Sequence, residues 1–202
     1  MFGLMMRATA GTPPMDLGQD LAHRLNHYEA FDATEQAHLD GLRTFLAGGS
    51  DITSRLNPIG HLTASALVVD PDGRTVLLTH HAKLGRWLQL GGHVESDDGD
   101  MLAAALREAR EECGIVGLRS DSDDVFDIDV HQIPFAASKN EPEHLHFDVR
   151  FLLQALDADL TISDESNDLR WFTLDEALAV ASDESLARML RKCRFNSAFQ
   201  RR

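Results

Sequence analysis

A chain of 202 residues fits one domain of ordinary size with a small appendage, and its 43% hydrophobic and 26% charged residues allow a full globular core. Its formal net charge of −14 argues against stable nucleic-acid binding, which depends on Lys and Arg neutralising phosphates, so an anionic substrate would need a local cationic counterweight. Cys113 and Cys193 are too few for a disulfide framework and fit a reducing cytoplasm.

In chain order, residues 1–15 are expected to be disordered, because Gly11, Thr12, Pro13 and Pro14 break any helix. The apolar start MFGLMM is interrupted by Arg7 well short of a secretory core, and no run reaches the ~18 apolar residues that span a bilayer. The expectation is a soluble, cytoplasmic protein without membrane contact. A helix follows from Asp16 to Phe31, with Leu17, Leu21, Leu25 and Tyr28 at helical spacing. Asp32 and Glu35 read as a capping box for a second helix, whose Leu39, Leu42, Phe45 and Leu46 face inward until Gly48–Gly49. Residues 16–57 thus read as a helical hairpin and linker. Its leucine stripes need covering, either by the rest of the chain or by a second copy in a homodimer.

Residues 58–202 read as the main domain. HLTASALVV (61–69) is a strand, Asp70–Gly73 a turn, TVLLTH (75–80) its partner, and WLQL (87–90) a third strand leading into Gly91–Gly92. A helix spans Asp100 to Cys113, with Asp100 as N-cap and Gly114 past its end. Strands at 126–133 and 144–153 flank a polar loop containing proline. A strand at 169–172 runs into a helix opened by Thr173 or Asp175, and a last helix covers 183–195. Strands mixed with a few helices, without strict alternation, favour an α+β fold with a mixed sheet.

The chemistry concentrates in REAREECGI (107–115). Leu102, Leu106, Ala109 and Cys113 form one apolar stripe, while Glu108, Glu111 and Glu112 occupy a separate arc of about 100°. Like charges at these spacings cost about a few tenths of a kcal/mol each, and their place near the helix C-terminus adds an unfavourable dipole. A hard divalent cation against that face would offset the cost. The plainer meaning of a Glu cluster is a solvated helix face. Two neighbours weigh against it here: Arg107 can brace a carboxylate, and Gly91–Gly92 lets backbone approach a ligand closely.

The stretch GGHVESDDGDMLAAALREAREECGI resembles the Nudix box, G-x5-E-x7-R-E-U-x-E-E-x-G-U with U aliphatic, at Gly92, Arg107, Glu108, Ala109, Glu111, Glu112, Gly114 and Ile115. The resemblance covers about residues 60–182 and leaves the hairpin outside. It implies a Nudix-type α/β/α sandwich. It also implies hydrolysis of a diphosphate linkage in a small-molecule nucleoside diphosphate derivative, dependent on Mg²⁺ or alternatively Mn²⁺. Carried over residue by residue, Glu108 and Glu112 are the main metal ligands, the Gly92 carbonyl and Glu111 contribute, and Arg107 positions a Glu. Glu165, six residues before Trp171, stands where several members carry an extra ligand or the general base, so Glu111 and Glu165 both remain open for that role. Two positions depart from the pattern. Asp98 replaces the first Glu, and eight residues separate it from Arg107 where the pattern has seven. Leu90 stands where many members have proline.

Other residues bear on substrate. His144, His146 and Asp148 alternate along a strand and share one face. Two His at this spacing suit zinc, but are more often half-buried strand residues or substrate contacts. His93 follows Gly92 and can meet phosphate, and Lys83 and Arg86 are the nearest cations. Arg86, His93, His144 and His146 make up the expected substrate-binding set. His80 and His81 point to opposite strand faces, and Trp87 reads as core rather than as a stacking platform. An isopentenyl diphosphate isomerase-like activity is disfavoured, since Gly91 occupies the place of the required Cys. A nucleotide-binding module without catalysis would be expected to lose helix ligands, and all three are kept. The proline that marks ADP-ribose hydrolases is replaced by His131, with Pro134 beyond it, and the coenzyme A signature around LLTHH is incomplete.

Overall fold

The computed structural model describes residues 16–49, 51–136, 142–164 and 166–196. The expectation for residues 1–15, and Glu165, lie outside the described residues. Helices α1 (Leu17–Leu25) and α2 (Ala33–Ala47) form the N-terminal hairpin. Helix α1 stops well before Phe31, and the Arg43 guanidinium donates to the Leu25 carbonyl at 2.7 Å, satisfying one of its terminal acceptors. Asp32 caps α2 as expected, accepting from the Glu35 N–H at 2.8 Å. The reciprocal half of the capping box differs. Glu35 accepts instead from Phe31 N–H at 2.6 Å, Ile128 N–H at 3.1 Å, the Tyr28 hydroxyl and Lys192 Nζ at 2.6 Å. Its carboxylate is fully buried and ties the hairpin to the rest of the chain.

The sheet contains β1 (Gly60–Val69), β2 (Thr75–His81), β3 (Arg86–Leu88), β4 (Leu90–His93), β5 (Leu118–Arg119), β6 (Asp127–Ile133), β7 (His144–Ala155) and β8 (Ser166–Thr173). Helix α3 (Met101–Cys113) follows β4, and α4 (Leu174–Val180) and α5 (Glu184–Phe195) close the described chain. β1 is central. It runs parallel to β7 from Gly60↔Leu145 to Val69↔Gln154 and antiparallel to β2 and β4. The WLQL strand is in fact two: Arg86–Leu88 pairs with β2, whereas Leu90–His93 crosses to β1.

Both faces of β1 are covered, so every one of its residues is buried, as central strands between helical layers require. On one face Leu62, Ala64, Ala66 and Val68 meet Ala104, Ala105 and Ala109 of α3, and these small side chains let helix and strand approach closely. Leu21, Leu25, Leu39, Leu42 and Phe45 of the hairpin join the same core, with Phe45 stacked on Phe147 at 4.1 Å. Each such side chain contributes about 1.5–3 kcal/mol relative to exposure. On the other face Leu67 and Val69 pack with Leu186, Met189 and Leu190 of α5. The result is the expected α+β sandwich with a mixed sheet. Among the described residues no helix is long and apolar enough to cross a membrane.

Candidate active site

Helix α3 is fixed at both ends. Asp100 accepts from the Ala103 N–H at 2.8 Å, and Gly114, in the left-handed region at φ 73°, donates to the Arg110 carbonyl at 2.8 Å. The alanine side is buried in the sheet, which turns Arg107, Glu108 and Glu111 toward the loop after β4. At Gly92 a Cβ would lie 2.5 Å from Glu108 Oε2, so only glycine allows the carboxylate to close on the strand.

Arg107 organises this corner. Its Nε and one terminal nitrogen donate to the two oxygens of Asp98 at 3.0 and 2.9 Å. The same terminal nitrogen reaches the His93 carbonyl at 2.9 Å. The other donates to Glu108 at 3.0 Å and to Glu111 at 3.3 Å. Asp98 therefore does occupy the arginine fork despite the extra residue. A tight turn, in which Asp98 accepts from the Glu95 N–H at 2.8 Å and donates its own N–H to the Glu95 carbonyl at 3.1 Å, absorbs the insertion.

One guanidinium thus faces three carboxylates. Burial works against the Asp98 charge, yet Arg107 and the Glu95 N–H outweigh it and hold the carboxyl below the usual range. For Glu108 the balance is reversed: burial pushes its carboxyl up, Arg107 opposes, and the neighbouring Glu111 and Glu95 add to the rise. The Glu111 side chain is 60% exposed against 16% for Glu108. Arg107 itself is held charged, chiefly by Asp98.

The opposite face of the sheet carries a second polar group. His61 of β1 lies level with His146 in the parallel register. Its ring is 5.0 Å from that of His144, 4.7 Å from His146 and 5.1 Å from His93, and His131 stands 5.4 Å from His146. Burial, then the neighbouring imidazoles, depress the His146 pKa to about 2, so the ring is neutral. Next along this face Asp148 accepts from Thr63 at 3.0 Å, Ser65 at 2.8 Å and Arg150 at 2.7 Å. Arg150 and Arg188 then share Asp127 at 3.1 and 2.9 Å.

A protein-family profile for the NUDIX domain matches residues 60–193. The chain belongs to the Nudix family. A Lactococcus lactis subsp. cremoris (strain MG1363) protein described as a probable DHNTP pyrophosphohydrolase is 34% identical over 104 residues, 52% of this chain and 60% of that one. The chain thus spans about three-fifths of the length of this curated relative. The E. coli dihydroneopterin triphosphate pyrophosphohydrolase superposes with a TM-score of 0.52 at 17% identity, over 65% of this chain and 92% of that chain, a likeness of fold. A NUDIX-family hydrolase from Clostridium perfringens gives a TM-score of 0.49 at 25% identity, covering 66% and 96%.

Within this Nudix frame the structure gathers Gly92, Arg107, Glu108 and Glu111 into one corner, with Glu112 half-buried one turn beyond Glu108 on the same helix. The family implies a divalent cation, and the donors fit a hard one: carboxylate oxygens on one helix face, one of them pressed on strand backbone. His93, His144 and His146 come together on the other face. Arg86 is not brought to the box. Its guanidinium lies 3.2 Å from Asp183 at the start of α5, where the helix cap offers a fixed anion. Trp87 packs edge-on against Phe172 at 4.8 Å, in keeping with a core role. A cleft of 670 Å³ between the hairpin and the 95–98 turn touches the box through Asp98.

His61 was missed from sequence, because HLTASALVV reads as a plain buried strand. The available signal was polar phase: His61, Thr63 and Ser65 alternate with Leu62, Ala64 and Ala66.

Proposed function

We propose that the chain is a Nudix pyrophosphohydrolase, cleaving a diphosphate linkage in a small-molecule nucleoside diphosphate derivative or a related heterocyclic triphosphate, with Mg²⁺ or alternatively Mn²⁺ as cofactor. The observation that carries this reading is the Arg107 fork, which holds Asp98, Glu108, Glu111 and the strand after Gly92 as one unit. Glu108 and Glu112 would hold the cation, with the Gly92 carbonyl and Glu111 contributing. When bound, it neutralises phosphate oxygens and lowers the pKa of the attacking water. The chain's own work is positional. Arg107 fixes Glu108 against β4, and the half-buried setting of that carboxylate keeps water from competing for it.

Glu165 is assigned the general-base or additional-ligand role on its offset from Trp171, with Glu111 as the alternative on the helix. The names of the Lactococcus relative and the E. coli structure put dihydroneopterin triphosphate first among substrates to try, beside nucleoside diphosphate and triphosphate derivatives. The deciding assay follows products by ³¹P NMR over that panel, with and without Mg²⁺. Mg²⁺-dependent cleavage at a phosphoanhydride is expected. Turnover that persists without metal, or none on any member with Mg²⁺ or Mn²⁺, would refute the reading. Glu165→Gln separates the bases: lower kcat with unchanged Mg²⁺ affinity marks a base, loss of both marks a ligand, and near-normal values leave Glu111.

A further inference from the structure

We propose that His61, His144 and His146 form a binding site for one borderline transition-metal ion of the zinc class, separate from the carboxylate site of the Nudix box. One ligand nitrogen from each ring lies within 4.8 Å of the others. A tetrahedral zinc site with nitrogen ligands needs separations of about 3.4 Å, so side-chain rotations of about 1 Å would close the three onto an ion.

The placement is built by the longest strand pairing among the described residues. β1 and β7 run in parallel register with His61 opposite His146, and His144 lies two residues before His146 on the same face. The tautomer of His144 is set as a metal site requires. Its Nδ1 is 2.8 Å from the Pro142 carbonyl, which takes the ring proton and leaves Nε2 as the basic nitrogen.

Donor type separates this site from the box. Three imidazoles and no carboxylate suit zinc, iron, cobalt or nickel, and give little to Mg²⁺, which demands oxygen. The box offers the reverse. Three protein ligands leave further coordination positions for water, substrate or the neighbouring His93, whose ring is 5.1 Å from His61 and 5.3 Å from His146. His93 is also the residue after Gly92, so the site lies one residue along the strand from the box.

The test uses the full chain, stripped with a chelator and titrated with Co²⁺ as a spectroscopic stand-in for zinc. One equivalent should produce visible d–d bands that Zn²⁺ abolishes and excess Mg²⁺ does not. His144→Gln and His146→Gln, checked for folding by circular dichroism melting, should lose the bands, while Glu112→Gln should keep them. No cobalt uptake by the wild-type chain, or bands that follow Glu112 and survive both histidine changes, would overturn the site. Where the variants fold poorly, long-range ¹H–¹⁵N imidazole spectra of the wild-type chain serve instead. Zn²⁺ must then shift His144 Nε2 and the coordinating nitrogens of His61 and His146. Unchanged resonances on addition of Zn²⁺ would overturn the site, and shifts seen only with inorganic pyrophosphate would mean that the imidazoles contact phosphate and hold no metal.

Discussion

Replacing Arg107 with lysine tests how far the site depends on a planar fork rather than on a positive charge. The guanidinium makes five donated contacts: two to Asp98, one to the His93 carbonyl, and one each to Glu108 and Glu111. An ammonium can donate three bonds from a single point, so it cannot hold Asp98 through both oxygens and still reach Glu108. Losing one charge-assisted hydrogen bond at a partly buried position costs about 1.5–3 kcal/mol. At about 1.4 kcal/mol per tenfold, that corresponds to roughly 10–150-fold, in the range of about 10–100-fold for groups that brace metal ligands. The expected result for Arg107→Lys is a fall in kcat/KM of that order, together with a rise in the Mg²⁺ concentration giving half-maximal rate. The Mg²⁺ shift separates positioning from general destabilisation, and binding of Mn²⁺ measured by paramagnetic resonance checks it without turnover. A variant whose kcat/KM and half-saturating Mg²⁺ both stay within about twofold of wild type would refute the fork argument.

Four further predictions concern the site, the hairpin and the buried ion pairs. Glu112→Gln should lose much more activity than Asp98→Asn, because the first removes a proposed ligand and the second only weakens the Arg107 brace, at about 10–100-fold; equal steady-state losses would contradict the assignment. Glu35→Ala should lower stability by about 3–5 kcal/mol, because it removes the buried acceptor shared by the Phe31 and Ile128 N–H groups, the Tyr28 hydroxyl and Lys192, and so lower Tm by about 6–20 °C in calorimetry. A truncation beginning near Ser54 should likewise be less stable or change its oligomeric state in sedimentation, since it removes the hairpin's share of the core. Asp127 and Asp129 lie below their ordinary pKa: burial opposes their charge but is outweighed, for Asp127 by Arg188 and Arg150, for Asp129 by His131, His38 and Arg150. A depressed carboxylate binds its proton more readily when unfolded, so its contribution is present at neutral pH and lost as pH falls below about 4. Urea midpoints should therefore drop steeply from about pH 5 to about pH 3, and less steeply in Asp127→Asn.

What the sequence disclosed follows the range over which each feature is determined. The box helix is local: its spacing, its Asp100 cap and its Gly114 terminus all lie within fifteen residues of one another, and they stand as expected. The family and the mixed sheet follow from the same stretch and the strands around it. The place of Asp98 is not legible locally, because an inserted residue has no fixed geometric meaning until the turn from Glu95 is seen. Glu35 was read as half of a capping box because its true partners, Ile128 and Lys192, are remote in sequence. His61 escaped for the same reason, since its companions come from a strand more than eighty residues later. The break at Gln89 is likewise tertiary: WLQL reads as one strand, but its halves serve different neighbours.

That break places one short strand between two kinds of donor group. By leaving β2 at Gln89 and pairing with β1, β4 brings Ala64 opposite Gly92 and Thr63 opposite His93. Successive strand residues face opposite sides of a sheet. Gly92 therefore meets the carboxylate of Glu108 from α3, while the His93 ring joins the imidazoles on the other face. Arg107 then holds the His93 carbonyl, clamping the strand at the point where the two sides meet. A side chain at position 92 would collide with Glu108, and a shift of register by one residue would exchange the faces. The pairing of β4 with β1, rather than any single catalytic side chain, is what keeps hard oxygen donors and imidazole nitrogens close together and yet apart.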